Sequence, residues 1–142
     1  CYNNEDFENA IYLLKKHNIK TIVHIINGLP YETKEMMIDT VKYLNQFNLF
    51  GLKIHMLHIM KNTPLEKIFE EKPFHVLTLT EFVDITTLQL RHLNTNTVIH
   101  RLTGDAPKDL LVEPMWTLKK FVVLNEIDKK MRKENIFQGD LC

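Results

Sequence analysis

The chain has 142 residues, 44% of them hydrophobic and 25% charged, with 18 basic side chains against 18 acidic ones. That size and apolar content suit one domain with a real core and exclude a disordered chain, and no apolar run approaches the roughly 20 residues of a membrane span. Balanced charge argues against a protein that coats nucleic acid generally, four glycines leave no glycine-rich phosphate cradle, and Cys1 and Cys142 have neither disulfide-framework nor metal-site spacing.

The chain opens on Cys-Tyr-Asn-Asn with a helical pattern almost at once and no targeting or lipidation signal, which points to a cytoplasmic piece of a longer protein. Phe7, Ala10, Ile11 and Leu14 fall on one face of a helix from Glu5 to His17. The run from Thr21 to Asn27 is short, β-branched and nearly all apolar, the pattern of a buried strand. Gly28-Leu29-Pro30 ends it, and Thr33 is an N-cap for a helix reaching about Asn48. A second strand is expected from Leu52 to Met60, followed by a loop at Lys61-Asn62. Thr63-Pro64-Leu65-Glu66 then starts a short helix that stops before Pro73. Thr78 and Glu81 form a capping box for a helix to about Leu93. A third strand runs from Thr97 to Leu102, then a long loop through Gly104, Pro107 and Pro114, then a last helix from about Thr117 to Glu134.

Strands separated by helices indicate an α/β fold with a parallel sheet. Three parallel strands would leave two open edges, so a partial (β/α) barrel cut from a larger TIM-type barrel explains the pattern better than a self-contained domain. The division expected is a barrel portion over 1–116 and a carboxyl-terminal helix and tail over 117–142.

His24, His55, His58 and His100 lie in the strands or at their ends. Period-two alternation that puts Val23, Ile25, Ile54, Met56 and Ile99 under the helices turns His24, Lys53, His55 and His100 toward the barrel interior. Arg101 then points outward unless it lies past the end of its strand. Three histidines at comparable positions on three strands suggest a pocket; hydrogen-bonded core histidines are the plainer alternative. His55 and His58 are three residues apart and fall on opposite faces of a strand, so they would meet only where the strand breaks. A metal-dependent hydrolase with a histidine-lined barrel is thus one alternative, although Asp105 is the only evident carboxylate partner. Gly28-Leu29-Pro30-Tyr31-Glu32-Thr33 sits where α/β barrels place ligands, and the same residues also serve a plain strand-to-helix turn. The excess of lysine and arginine on the last helix suits either a solvated face or RNA phosphate, which keeps a non-catalytic RNA- or protein-binding module open as a second alternative.

IINGLPYET after a strand, GLKIHMLHIMKNTPL, IHRLTGDAP, Trp116, Lys119 and Gln138-Gly139 together resemble the carboxyl-terminal half of radical S-adenosylmethionine (SAM) enzymes. The nearest resemblance is to the bacterial family related to the catalytic subunit of Elongator, with oxygen-independent coproporphyrinogen oxidases more distant. The resemblance implies an Fe–S oxidoreductase or transferase barrel that holds a 4Fe–4S cluster and S-adenosylmethionine, cleaved to a deoxyadenosyl radical. It implies that Ile26, Gly28, Leu29 and the backbone of Met56 and Leu57 contact the adenosyl group. It places His24, His55, His58, His100 and Arg101 on the substrate side without assigning any of them catalysis. The cluster-binding cysteine motif is absent, so the chain alone is expected to be inactive, to hold no metal and to bind neither cofactor tightly. Its expected partners are the missing amino-terminal half of the barrel and, by kinship with Elongator, tRNA; no membrane is expected.

Overall fold

A computed structural model describes residues 3–142; Cys1 lies outside the described residues. The chain order is α1 (Asn4–Lys16), β1 (Ile22–Asn27), α2 (Lys34–Asn45), β2 (Gly51–Met56), β3 (Ile59–Met60), α3 (Pro64–Glu71), α4 (Leu79–His92), β4 (Val98–Arg101), β5 (Leu111–Glu113), a 3-10 turn (Met115–Leu118) and α5 (Lys120–Glu134). Helix starts follow the capping chemistry. Asn3 and Asp6 form a capping box on α1, as do Thr78 and Glu81 on α4, while Thr33 and Thr63 each accept from the backbone N–H three residues on.

β1, β2 and β4 form a three-stranded parallel sheet in the order β1-β2-β4, with β1 paired to β2 from Ile22↔Gly51 through Asn27↔Met56. Its core side is built from Leu52, Ile54 and Met56, with Val23, Ile25 and Ile99 packed against them, and α1, α2, α4 and α5 supply Ile11, Val41, Phe82 and Val123 to the same cluster. Alternation leaves His24, Ile26, Lys53 and His55 on the opposite face, which no helix of this cluster covers. The fold is therefore part of an α/β barrel with its helical layer on one side only. No helix among the described residues is long and apolar enough to cross a membrane.

Four elements differ from the pattern read in the sequence. The run from Leu52 to Met60 is two strands. β2 stops at Met56, one residue before the last ladder bond to β1, from Leu57 N–H to the Asn27 carbonyl at 2.9 Å, and Ile59–Met60 pairs antiparallel with β5. β5 itself lies inside what reads as loop, because three residues beside Pro114 carry too short an alternation to register as a strand. α2 ends at Asn45 rather than near Asn48, and the last helix starts with a 3-10 turn followed by α5 at Lys120.

Candidate functional site

On the uncovered face His24, Lys53 and Arg101 share one level midway along the sheet, and His55 lies two residues nearer the carboxyl ends of the strands, the end at which α/β barrels hold ligands. His24 of β1 and His55 of β2 meet edge to face, with ring centroids 4.2 Å apart and planes at 82°. Because β2 stops at Met56, the chain turns at Leu57 and brings His58 beside His55. The meeting point is Gly104, just beyond β4. A Cβ built there would lie 2.8 Å from His58 Cε1 and 3.0 Å from His55 Nδ1. Gly104 is required for space, since its backbone lies outside the left-handed region. Its N–H donates to Met56 Sδ at 3.1 Å, which ties the loop after β4 to the end of β2.

The Nε2 atoms of His55 and His58 are both buried without a hydrogen-bond partner. Burial pushes the His55 imidazolium down to about 4, with help from His24, Arg101 and His58 and against the pull of Asp105. Burial also lowers His58, again opposed by Asp105. Both rings are therefore neutral near pH 7 and each offers one donor and one acceptor nitrogen. Among the described residues no group of three or more His, Cys, Asp or Glu side chains is placed to share a metal ion, so the hydrolase alternative finds no ligand set here.

Arg101 does not point into the helical layer. The register between β2 and β4 shifts after Leu52, so that Lys53 pairs with Arg101 and His100 becomes the extra residue. The bulge turns Arg101 to the uncovered face, where its guanidinium reaches Asp105 at 3.2 Å; Lys120 reaches the same carboxylate at 3.4 Å. His100 does not join the other histidines. Its ring lies over Gly51, where a Cβ would be 2.4 Å from His100 Cδ2, and faces Phe50 at 5.9 Å. Gly51 is four residues from His55, roughly 13 Å along β2.

The GLPYET turn after β1 satisfies itself. Gly28 and Leu29 donate their N–H groups to one oxygen of Glu32, at 2.9 and 3.0 Å. Gly28 has φ +86°, and a Cβ there would meet Leu77 Cδ1 at 3.0 Å. With the two amides occupied by Glu32, this turn has no vacant anion nest to offer. What it does present is apolar: Ile26 is 43% exposed and Leu29 45%.

Residues 50–133 match the model of the Radical SAM C-terminal domain. The chain belongs to the radical SAM C-terminal domain family. It is 38% identical over 133 residues to an uncharacterised protein, YtqA, of Bacillus subtilis, covering 94% of this chain and 41% of that protein. It is 29% identical over 85 residues to a biotin synthase of Bacillus licheniformis, covering 58% of this chain and 25% of that enzyme. In structure it resembles the archaeal Elp3 of Methanocaldococcus infernus lacking residues 1–46 at its N-terminus, with a TM-score of 0.81 and 19% identity over 97% of this chain and 32% of that one. The chain thus spans 41% of its Bacillus subtilis relative and corresponds to part of a radical SAM barrel.

The two groups that radical SAM chemistry uses fit these residues unequally. Cys1 and Cys142 do not have cluster-ligand spacing, and Cys142 is an exposed tail residue, so a 4Fe–4S cluster does not fit this chain. Ile26 and Leu29 do fit one side of an adenosyl group, because they expose apolar surface at the ligand end of β1. Met56 turns its side chain into the core at 3% exposure, and Leu57 N–H is committed to Asn27, which leaves only the outward backbone of these two to meet a ligand. Two features of the site escape sequence reasoning. The Asn27 side chain pairs with Gln89 inside the helical layer, and Gly104 packs against both His55 and His58. Their signals are polar residues within apolar runs and a glycine in the loop after a strand.

Proposed function

We propose that this chain supplies the carboxyl-terminal part of a radical SAM enzyme, with the uncovered sheet face as its substrate side. The observation that carries the reading is that face itself: His24, Lys53 and Arg101 share one level of a parallel sheet whose other face is closed by helices, and His55 lies two residues nearer the carboxyl ends of the strands. When bound, S-adenosylmethionine and its cluster supply one-electron, hydrogen-abstracting chemistry. The residues of this chain flank and orient: Ile26 and Leu29 form an apolar rest for the adenosyl group, and the neutral histidines border the space for substrate. Cluster ligands must come from elsewhere in the protein. The preceding part of the barrel would seat against the free edge of β1, which borders a groove of about 810 Å³ between α1 and α2.

Modification of tRNA is the substrate reading suggested by the Elongator-like motifs. α5 contributes less to it than its composition suggests, because Lys129, Lys130 and Arg132 are ion-paired to Glu126, Asp84 and Asp128. Binding of tRNA by the natural full-length protein should weaken steeply with salt; no affinity at low salt removes this substrate. The cofactor side is tested by equilibrium binding of S-adenosylmethionine to the full-length protein. Ile26→Asp and Leu29→Asp, both exposed substitutions, should each weaken binding about tenfold, the equivalent of roughly 1.4 kcal/mol of lost apolar contact. Unchanged affinity in both would contradict the placement.

A further inference from the structure

We propose that Lys53 and Arg101 form a binding site for an anionic group, a carboxylate or a phosphate, on the uncovered face of the sheet, with Asp105 as the competitor that the ligand displaces from Arg101. The two cations are register partners on adjacent parallel strands, about 4.8 Å apart at the backbone, and His24 completes their level on the other side of Lys53. Lys53 faces away from the core because Leu52 and Ile54 on either side of it are fully buried among the helices. Arg101 shares that face only because the bulge at His100 re-aims it, and bulges that re-aim a side chain recur beside ligand sites. The charge on both is fixed near neutral pH, whatever the tautomers of the neighbouring histidines.

The charge of this face is unbalanced. β1, β2 and β4 carry no Asp or Glu at any position. Among the described residues Lys53 has no ion-pair partner, and Arg101 and Lys120 divide the one carboxylate of Asp105, at 3.2 and 3.4 Å. Three cations are thus answered by a single anion. The two ion pairs are solvent-exposed, so they are weak and yield to a better acceptor. Arg101, Lys120 and Asp105 also line a cavity of about 400 Å³ at the free edge of β4, which leaves open space beside the guanidinium. The field of Arg101 reaches across the face, where it helps to hold His55 neutral. A lysine beside a guanidinium suits an oxyanion, the planar fork taking two oxygens and the ammonium acting as a point charge. A cation would be repelled, and a neutral amide would leave both charges unanswered. Assigning the anion to the substrate rests on the function proposed above; the binding itself does not.

The test is titration calorimetry of the natural full-length protein at low salt with inorganic phosphate, acetate and acetamide, the neutral counterpart of acetate. At least one anion should bind saturably and acetamide should not; the tighter anion names the class of group. Lys53→Met and Arg101→Gln should each weaken that binding about tenfold or more, the loss of one charge-assisted hydrogen bond, and Arg101→Lys should weaken it less than Arg101→Gln. Lys129→Gln, which removes a positive charge from the outer face of α5, should leave it unchanged. Asp105→Asn, an exposed substitution that removes the competitor, should bind about threefold more tightly, while Glu126→Gln on α5 should not. Asp105→Asn decides the matter even if Lys53→Met does not fold. The proposal is overturned if neither anion binds, if acetamide binds as tightly as the better anion, if Lys129→Gln costs as much as Lys53→Met, or if Asp105→Asn binds no more tightly than the wild type. Saturating S-adenosylmethionine should leave the anion bound; its displacement would assign the two cations to the cofactor's own carboxylate and overturn the substrate assignment. Because deoxyadenosine release is measured separately, failure here leaves the radical SAM reading standing, and failure there leaves the anion site intact.

Discussion

Asn27 and Gln89 exchange two hydrogen bonds across the helical layer, Asn27 Nδ2 donating at 2.7 Å and Gln89 Nε2 returning one at 2.9 Å. Gln89 also donates to the Met37 carbonyl at 2.9 Å, so one buried amide ties the end of β1 to α2 and α4. Both side chains are almost fully excluded from water, at 2% and 0% exposure. Removing one partner strands the other, whereas replacing both removes the need for either. Asn27→Ala or Gln89→Leu alone should cost about 2–3 kcal/mol in urea unfolding, and the double variant less than their sum, with a coupling of about 1–3 kcal/mol. Additive losses would show that the pair does not act as a unit.

Gly104→Ala should destabilise the protein by about 1–3 kcal/mol, the usual range for overpacking, because the new methyl meets two imidazole rings whose own positions are fixed by β2 and His24. The cost should fall when His58→Ala is added, since the nearer contact is then gone. Chemical denaturation of the single and double variants reads this directly.

Stability should depend on pH through His55. Its folded-state value lies near 4, below the ordinary 6.5, so above the ordinary value the ring is neutral in both states and the native state carries no penalty. Between about 6.5 and 4 the unfolded chain takes up a proton that the folded chain refuses, and stability falls as the pH drops through that window. His58, lowered in the same direction, adds to the fall. Thermal melts across this range should show the decline, and His55→Asn should flatten it. A wild-type melting temperature unchanged from pH 7 to pH 4.5 would contradict the burial of these rings.

Glu32 closes the turn after β1 by accepting from Gly28 and Leu29. Glu32→Ala should cost about 1–2 kcal/mol as two amides lose their shared acceptor, while Glu32→Gln should keep part of that, since an amide oxygen still accepts. Hydrogen exchange at the Gly28 and Leu29 amides should speed up in the alanine variant and change less in the glutamine one.

The elements that repeat over several turns or alternations were legible in the sequence. Capping at Thr33, Thr63 and Thr78, the strand from Ile22 to Asn27 and the turning of Val23, Ile25, Ile54, Met56 and Ile99 toward the helices all follow from local pattern. What stayed hidden depends on contacts between distant segments. The apolar run from Leu52 to Met60 divides because its two parts pair with different strands, β2 with β1 and β4 and Ile59–Met60 with β5. The bulge at His100 reverses the facing of Arg101, and no single strand's alternation encodes a register shift against its neighbour. The meeting of His55 with His58 is a product of that break, and Gly104 is its marker only once the strands are in place.

The central claim is that this chain is the cluster-free part of a radical SAM enzyme whose uncovered face completes the active site. The most direct measurement is deoxyadenosine release from S-adenosylmethionine by the natural full-length protein, reconstituted anaerobically with iron and sulfide and then reduced, beside the 142-residue chain treated identically. The account predicts deoxyadenosine from the full-length protein and none from the chain alone. A fully reconstituted full-length protein that releases no deoxyadenosine, or a chain that releases it unaided, would contradict the account.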